Sequence, residues 1–303
     1  MEHHLTNLHK AIKRQFAHQS GNNIFCTASD LHFHSDIRHT IPALRNDIQT
    51  LTSEEIDELR KNYCEGFLKA FFDVNQYTYF DRRATQQIDD IFGALLAEIA
   101  IESTPIEEIE QRHFHRIKRF IANTNPSILK INHNANEKAK NFICAEYSAE
   151  FLIDLLGLES EIANTPILDI GCGKNGKLVK YLRKHRIDAY GIDRIANGKG
   201  LLSVDWFDVD YGENKWGLIV SNLSFCSHFL YHHLAGDKIA HDFAETYMAI
   251  LKSLKPGAKW IYTPSIPFFE DLLPSELYAA KREQINEQFA KTDITKTGTW
   301  GEL

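Results

Sequence analysis

The chain has 303 residues, of which 43% are hydrophobic and 25% are charged, a composition typical of globular proteins and too apolar for a disordered one. At about 150 residues per domain, the length allows one large domain or two ordinary ones, with a core that needs no disulfide or structural metal. The net charge of −7, from 34 basic and 41 acidic residues, argues against a nucleic-acid partner, because such proteins present basic surfaces.

The cysteines give no sign of a disulfide framework or a structural zinc site, because they are odd in number and form no CxxC pair. They are Cys26, Cys64, Cys144, Cys172 and Cys226. The N-terminus lacks the charged-then-apolar layout of a signal peptide. The longest nearly apolar stretch, residues 91–101, is far shorter than the roughly 20 residues that cross a bilayer. We therefore expect a soluble, cytoplasmic protein with no membrane partner.

Apolar residues in the first half of the chain recur with the 3.6-residue period of an amphipathic helix. This period predicts helices over residues 5–18, 53–72, 81–102 and 106–122. Thr52 offers a hydroxyl N-cap to the second helix, and Pro105 suits the first turn of the fourth. We expect an α-helical N-terminal region, residues 1–134, followed by a second domain, residues 135–303.

Residues 20–50 show no clear period, and they contain three histidines, His32, His34 and His39. The spacing of His32 and His34 could suit a pair of metal ligands. A metal site needs further ligands, and no cluster of cysteines or carboxylates in the sequence completes the set. We therefore expect surface histidines here and no metal site.

The second half begins with a predicted helix at residues 136–156, after which short apolar runs alternate with helical ones. The apolar runs predict strands at residues 166–170, 188–192, 201–204, 218–221 and 258–264. Strands separated by helices indicate βαβ units and a mainly parallel sheet. Ligands bind at the carboxyl ends of the strands in such sheets, so functional residues are expected there.

The first predicted strand ends in Asp169 and continues into a glycine loop, Gly171-Cys172-Gly173, before a predicted helix at 177–185. Glycines permit a tight turn and let backbone N–H groups approach a ligand closely. Nicotinamide and flavin enzymes carry similar loops. A carboxylate just before the loop would repel a pyrophosphate, however, and it favours a ligand with a cationic end.

The ends of the next strands carry further polar or aromatic residues. Asp193 lies 20 residues beyond Gly173, where an acid can accept both hydroxyls of a ribose. After the third strand, an aspartate can bind an exocyclic amine and an aromatic ring can lie against a purine. The remaining motifs, in chain order, are Asp205-Trp206, Ser221-Asn222-Leu223 and Leu254-Lys255-Pro256-Gly257.

In this order, the motifs resemble those of the class I S-adenosylmethionine-dependent methyltransferases, over about residues 140–270. The resemblance implies a Rossmann-like α/β domain with strand order 3-2-1-4-5 and a further C-terminal strand. It implies S-adenosylmethionine as the cofactor, and we expect a small-molecule substrate. The methionine end would lie against Asp169 and the loop of Gly171, Cys172 and Gly173, the ribose against Asp193, and the adenine against Asp205 and Trp206. We expect the same pocket to be lined by Arg194, Asn222 and Leu223.

Two features depart from the family. Only residues 194–200 separate the second strand from the third, whereas a crossover with its helix usually needs about 10–12 residues or more. We expect this helix to be absent or reduced to a turn. Near the C-terminus we predict a helix at 275–289 and one strand at 294–300. The second strand of the family's terminal hairpin is then missing, or the N-terminal region supplies it.

The candidate catalytic residue is His228, which follows the fourth strand close to where the methyl group would emerge. A neutral imidazole can act as a general base toward a hydroxyl, thiol or imidazole, although His228 could also simply pack. Asn222 to Phe225 partly resembles the Asn-Pro-Pro-aromatic motif of amino-directed methyltransferases, with Leu223 and Ser224 in place of the prolines. The acceptor atom is therefore left open among O, N and S.

Three classes of function remain. The first is a methyltransferase whose N-terminal helices cover the site and select a small substrate. The second is an inactive cofactor-binding or scaffold protein with the same fold. The third is a nicotinamide-dependent oxidoreductase, which Asp169 disfavours. The intact Asp169, Gly171, Gly173 and Asp193 favour the first class.

Overall fold

The computed structural model describes residues 2–19, 22, 32–126, 128, 146–287 and 289–298. The chain divides into two compact units, Met1–Ile143 (unit 1) and Cys144–Leu303 (unit 2). The expected boundary between residues 134 and 135 lies outside the described residues and stays a prediction. Across the described ranges, no helix is both long enough and apolar enough to cross a membrane.

The described residues of unit 1 form α-helices, as the helical period predicts. A short 3₁₀ turn, Ile48–Thr50, follows the second helix. The helices are α1 (Glu2–Gln19), α2 (Ser35–Asp47), α3 (Ser53–Phe72), α4 (Arg82–Ile99) and α5 (Ile106–Thr124). Helix α2 lies in the segment where the sequence shows no period. Its N-cap is His34, whose Nδ1 accepts the N–H of Asp36 at 3.2 Å, so the usual Ser, Thr, Asp or Asn signal is absent.

Unit 1 is held together by apolar helix faces that meet in an aromatic core. The rings of Tyr63 and Phe92 stack with their centroids 4.2 Å apart. Buried Glu110 accepts hydrogen bonds from the N–H of Phe33 and from Arg38, and His32 Nδ1 lies 3.1 Å from its carboxylate. His32 and His34 thus contact protein groups. The described residues contain no group of three or more His, Cys, Asp or Glu that could hold a metal ion.

Unit 2 contains one seven-stranded sheet with the order β3-β2-β1-β4-β5-β7-β6. The first five strands are parallel, and β7 runs antiparallel to both of its neighbours, β5 and β6. The strands are β1 (Ile167–Ile170), β2 (Ala189–Asp193), β3 (Leu201–Ser203), β4 (Trp216–Asn222), β5 (Leu254–Thr263), β6 (Tyr278–Gln284) and β7 (Ala290–Lys296). The order 3-2-1-4-5 and the Rossmann-like fold are therefore confirmed, with β1 at the centre of the parallel part.

Helices cover both faces of this sheet, as a buried parallel sheet requires. They are α6 (Ala149–Leu156), α7 (Lys177–Lys184), α8 (Phe225–Ala235), α9 (Ala240–Ser253) and α10 (Pro267–Glu270). Successive residues of a strand point to opposite faces. Ile167 accordingly packs with α6 and α7, while Leu168 and Ile170 pack with α8 and α9. Asp169, two residues after Ile167, lies on the α6–α7 face.

Two helices that the sequence predicts in the second half of the chain are wrong. The helix expected at 136–156 begins at Ala149, where Ser148 Oγ accepts the N–H of Phe151 at 3.2 Å, and residues 146–148 are not helical. Its first part, 136–145, lies outside the described residues. The helix expected at 275–289 is instead the edge strand β6. Only Tyr278 of this strand is buried, so its sequence lacks the apolar alternation that identifies a strand.

The C-terminal hairpin is therefore complete, with β6 as the strand that the sequence prediction lacks, and unit 2 itself supplies that strand. Buried Glu270 fastens the hairpin to the sheet: its Oε1 accepts Tyr262 Oη at 2.7 Å, the N–H of Ile266 at 2.7 Å and Thr292 Oγ1 at 2.9 Å. Its other oxygen accepts a hydrogen bond from Arg282 of β6. Residues 194–200 form turns and no helix, as their number predicts.

Candidate functional site

The glycine loop lies at the carboxyl end of the central strand β1. Gly171 and Gly173 have φ angles of +77° and +72°, a conformation that other residues adopt only with strain. The N–H groups of Gly171 and Cys172 donate to the carbonyl oxygen of Ile192 at 2.8 and 3.2 Å. A Cβ on Gly171 would lie 2.2 Å from the Cβ of Ser224. The loop is thus bound to the end of β2, with no room for a side chain toward α8.

The end of β4 is joined to the neighbouring strand ends by side-chain hydrogen bonds. Ser224 Oγ donates to the carbonyl oxygen of Ile170 at 2.7 Å. Thr263 Oγ1 donates to Asn222 Oδ1 at 2.6 Å, and the N–H of Leu223 donates to the carbonyl oxygen of Thr263 at 2.9 Å. Leu223 has a φ of +47°, a left-handed conformation that costs a non-glycine residue free energy and is concentrated at functional sites.

The carboxylate of Asp193 connects the glycine loop to the turn after β2. Its Oδ2 accepts the N–H of Gly173 at 3.0 Å, and its Oδ1 accepts the N–H of Ile195 at 3.1 Å. A carboxylate has about four acceptor positions, so each oxygen retains one for a ligand. The predicted ribose-binding residue therefore also shapes the backbone of the site.

Asp169 is buried, with 6% of its surface exposed. In the part of the chain that the structure describes, no hydrogen-bond donor reaches its carboxylate. Burial, and secondly the negative charge of Asp193, raise the pKa of Asp169 to about 7. An ionised carboxylate in this position is destabilising unless a positive charge compensates it. The position therefore favours a cationic ligand.

A third carboxylate, which the sequence analysis missed, lies against the same loop. Glu146 Oε1 and Oε2 accept the backbone N–H and the side-chain amide of Asn175 at 3.0 and 2.9 Å. Its Cγ would lie 2.9 Å from a Cβ on Gly173. Burial raises the pKa of Glu146, but the hydrogen bonds from Asn175, the positive charge of Lys177 and the backbone N–H of Lys174 together outweigh it, and the net shift is downward. Glu146 precedes β1 by about twenty residues outside any motif, so no sequence signal marks it.

Cys172 is packed between the loop and β2. A Cβ on Gly191 would lie 2.8 Å from its sulfur, which explains a glycine at that position of β2. Burial, followed by the charges of Asp169 and Asp193, raises the pKa of the Cys172 thiol. The sulfur is therefore a protonated thiol beside the loop, and this protonation state suits packing better than nucleophilic chemistry.

The two residues predicted to contact adenine differ in exposure. Asp205 is half-buried, and its Oδ1 accepts the N–H of Phe207 at 3.2 Å. Burial raises the pKa of Asp205, while the hydrogen bond from the N–H of Phe207 and secondly the positive charge of Arg194 oppose the shift. Trp206 is buried in the aromatic core of unit 2, although its Cζ2 would lie only 3.6 Å from a Cβ on Gly171. The ring of Trp206 therefore borders the glycine loop from the protein interior.

His228 lies one turn into α8, and its ring meets the ring of Trp206 edge-on with centroids 4.8 Å apart. Burial, together with the positive charges of Arg194 and His232, holds the pKa of His228 well below 6.5. The imidazole is therefore neutral near neutral pH. His232 Nδ1 is 2.9 Å from Asp237 Oδ2, just after α8, and the ring of His233 stacks on the ring of Phe268 in α10. Both histidines thus contact other side chains of unit 2.

No protein-family model and no curated protein matches the sequence. Similar solved structures include the N-methyltransferase NodS from Bradyrhizobium japonicum WM9 in complex with S-adenosylhomocysteine, at 15% identity and a TM-score of 0.36, covering 50% of this chain and 86% of that one. An RNA methyltransferase from Salinibacter ruber is 14% identical, with a TM-score of 0.34 and coverages of 52% and 98%. The sugar N-methyltransferase KedS8 from Streptoalloteichus sp ATCC 53650 is 17% identical, with a TM-score of 0.28 and coverages of 51% and 61%. The fold assignment rests on the strand order of unit 2.

Two glycines with similar positive φ angles allow the effect of close packing at the loop to be measured. Gly171 and Gly236 have φ angles of +77° and +69°, but a Cβ on Gly236 would meet no atom within 4 Å. We expect Gly236→Ala to cost about 1 kcal/mol through backbone strain, and Gly171→Ala about 2–4 kcal/mol because overpacking adds to it. Urea unfolding followed by tryptophan fluorescence measures both, since all four tryptophans belong to unit 2. Equal losses of unfolding free energy in the two variants would contradict this expectation and show that Ser224 moves aside without cost.

The raised pKa of Asp169 predicts that removing its charge stabilises the protein. The native state holds this proton more tightly than the unfolded chain, so stability falls as pH rises from about 4 to about 7. At pH 8, Asp169→Asn should therefore unfold at a higher temperature than wild type, with a gain of up to about 4 kcal/mol, and the gain should disappear near pH 4. Exposed Asp188→Asn is the control. A lower melting temperature for Asp169→Asn at pH 8 contradicts the account.

Proposed function

We propose that this protein binds S-adenosylmethionine and catalyses methyl transfer. The observation that carries the proposal is the buried Asp169 carboxylate, which lacks a donor among the described residues and stands beside a glycine loop. S-adenosylmethionine has a sulfonium and an ammonium group, and both are cationic. A pyrophosphate at the same loop would meet the negative charges of Asp169 and Asp193. The site also lies at the carboxyl ends of the parallel strands, where ligands of this fold class bind.

Each part of the cofactor has a partner among the site residues. Asp169 and Glu146 would face the ammonium of the methionine end, next to Gly171 and Gly173. Asp193 would bind the ribose hydroxyls through its remaining acceptor positions. The adenine would lie near Asp205 and Trp206, with the pocket completed by Arg194, Cys172, Asn222 and Leu223. The bound cofactor supplies a methyl group activated by positive sulfur, and the protein orients the acceptor and excludes water.

The acceptor remains a prediction. We propose a small molecule, with His228 as the candidate general base, because a neutral imidazole can accept a proton. Its lowered pKa makes it a weak base, which suits an acceptor that loses its proton readily. Selection of the substrate by unit 1 and a cytoplasmic location are further predictions. Formation of S-adenosylhomocysteine from S-adenosylmethionine in the presence of an acceptor would separate an active enzyme from an inactive scaffold.

Calorimetric titration of the full chain with S-adenosylhomocysteine and with NAD tests the cofactor. We expect S-adenosylhomocysteine to bind in the micromolar range and NAD not to bind. Asp193→Ala should weaken binding about ten- to hundred-fold, because it removes about 1.5–3 kcal/mol of charged hydrogen bonding. Asp188→Ala, an exposed aspartate just before β2, is the matched control. Wild-type affinity in Asp193→Ala would refute the ribose assignment, and binding of NAD alone would refute the proposed cofactor.

The role of Glu146 can be tested with two ligands that differ at the methionine end. S-adenosylhomocysteine carries the ammonium, whereas 5′-methylthioadenosine lacks the amino-acid group. Glu146→Gln removes one negative charge and should weaken S-adenosylhomocysteine about tenfold, the usual effect of a lost charged hydrogen bond. Binding of 5′-methylthioadenosine should not change.

Glu150→Gln, at an exposed position of α6, controls for a general loss of negative charge. An equal loss of affinity for both ligands would show that Glu146 only supports the fold of the loop.

A further inference from the structure

Positive charge is concentrated in one stretch of this acidic chain. Residues 174–200 contain eight lysines and arginines against two aspartates, while the whole chain has a net charge of −7. Within this stretch, Lys177, Lys180 and Lys184 are spaced so that they share one face of α7, and all three are exposed. Among the described residues, neither Lys180 nor Lys184 has an ion-pair partner. Their charge is therefore available to a ligand.

The basic face of α7 continues onto the turn between β2 and β3. Lys180 Cε lies 3.6 Å from the position of a Cβ on Gly198, and Arg183 Cδ lies 3.0 Å from the position of a Cβ on Gly200. Exposed Lys199 stands between these two glycines. Positive groups from the helix and from the turn therefore form one continuous patch.

Aromatic and apolar side chains border this patch, because no helix covers the connection between β2 and β3. Leu202 and Tyr190 are 55% and 41% exposed. The guanidinium carbon of Arg183 lies 5.7 Å from the centre of the Tyr190 ring. Tyr190 meets Trp216 edge-on at 5.9 Å, and Lys215 Nζ lies 4.7 Å from the Trp216 ring. Trp216 itself is buried, so the exposed ring of this pair is Tyr190, and Arg183 places a positive charge beside it.

We propose that this edge binds single-stranded nucleic acid. The surface, which we call the β3-edge surface, consists of Lys180, Arg183, Lys184, Tyr190, Lys199 and Leu202. Proteins bind unpaired strands by following the phosphates with basic side chains and stacking bases on exposed aromatic rings. Both elements occur here side by side. A duplex would offer the phosphates but no free base to Tyr190, and the apolar area is too limited for a membrane surface.

This inference does not rest on the proposed methyl transfer. The net charge of −7, which disfavours a nucleic-acid partner, belongs to the whole chain and averages over the basic residues 174–200. Phosphate contacts are local, so a basic surface can attract a strand even when the rest of the protein is acidic. The acidic remainder confines such a strand to the β3-edge surface.

The test is fluorescence anisotropy of the full chain with a labelled twelve-nucleotide uridine RNA at salt concentrations between about 50 and 200 mM. We expect saturable binding. The logarithm of the association constant should fall linearly with the logarithm of the salt concentration, with a slope of about −0.7 for each phosphate neutralised, or about −3 for four cations. Lys180→Ala with Lys184→Ala should reduce the magnitude of the slope by about 1.4.

Two further variants separate charge from stacking. Lys238→Ala with Lys281→Ala removes two exposed lysines elsewhere, one of them on the opposite edge strand β6, and should leave binding unchanged. Tyr190→Ala should weaken binding by roughly five- to hundred-fold, the range for loss of one stacked base, without changing the salt slope. Tryptophan fluorescence and melting temperature confirm that each variant is folded.

Several outcomes would overturn the proposal. These are the absence of saturable RNA binding at low salt, equal weakening by the control pair, and tighter binding of a duplex than of a single strand. Heparin binding as tightly as RNA, with no effect of Tyr190→Ala, would show a general polyanion surface and also contradicts the proposal. A single-stranded DNA of matching sequence shows whether the surface distinguishes RNA from DNA. Binding of either single strand, with the predicted effects of the variants, supports the proposal.

Discussion

A buried carboxyl group at the centre of a parallel sheet constrains the rest of this site. Asp169 lies on β1, between β2 and β4, where water is largely excluded and no donor among the described residues reaches the carboxylate. The second carboxylate, Asp193, adds repulsion and cannot turn away, because it holds the N–H groups of Gly173 and Ile195. The protein therefore keeps a destabilising electrostatic arrangement that a cationic ligand relieves. Such an arrangement is typical of a binding site rather than of a structural core.

The surrounding structure prevents the site from relaxing. Gly171 passes so close to Ser224 that a single methyl group would clash, and Ser224 itself is bonded to the end of β1. Glu146 is fixed to the loop by hydrogen bonds from the backbone N–H and the side-chain amide of Asn175. At the other side of the sheet, Glu270 joins the terminal hairpin to β5. The groups proposed to face a ligand are thus held by backbone and side-chain hydrogen bonds, which favours a preorganised site.

The sequence predicts the parts of the structure in which local pattern and burial agree. The central strands β1 and β4 are buried on both faces and appear as apolar runs, and α3 begins where Thr52 and Glu55 form a capping box. The edge strand β6 is missed because its exposed polar residues lack a strand pattern. Helix α2 is missed because a histidine caps it. Glu146 is invisible in the sequence because its role depends on a distance between segments, and the net charge conceals the basic stretch at 174–200 because it sums over the whole chain.

The central claim is that the Asp169 carboxylate becomes fully ionised when a cation binds beside it. Calorimetric titration with S-adenosylhomocysteine near pH 6.5, in buffers with different ionisation enthalpies, measures this directly. With the pKa of Asp169 at about 7 in the free protein, the account predicts that binding releases a substantial fraction of one proton. Asp169→Asn should abolish this release. Binding by the wild-type protein without proton release, or with proton uptake, would contradict the account.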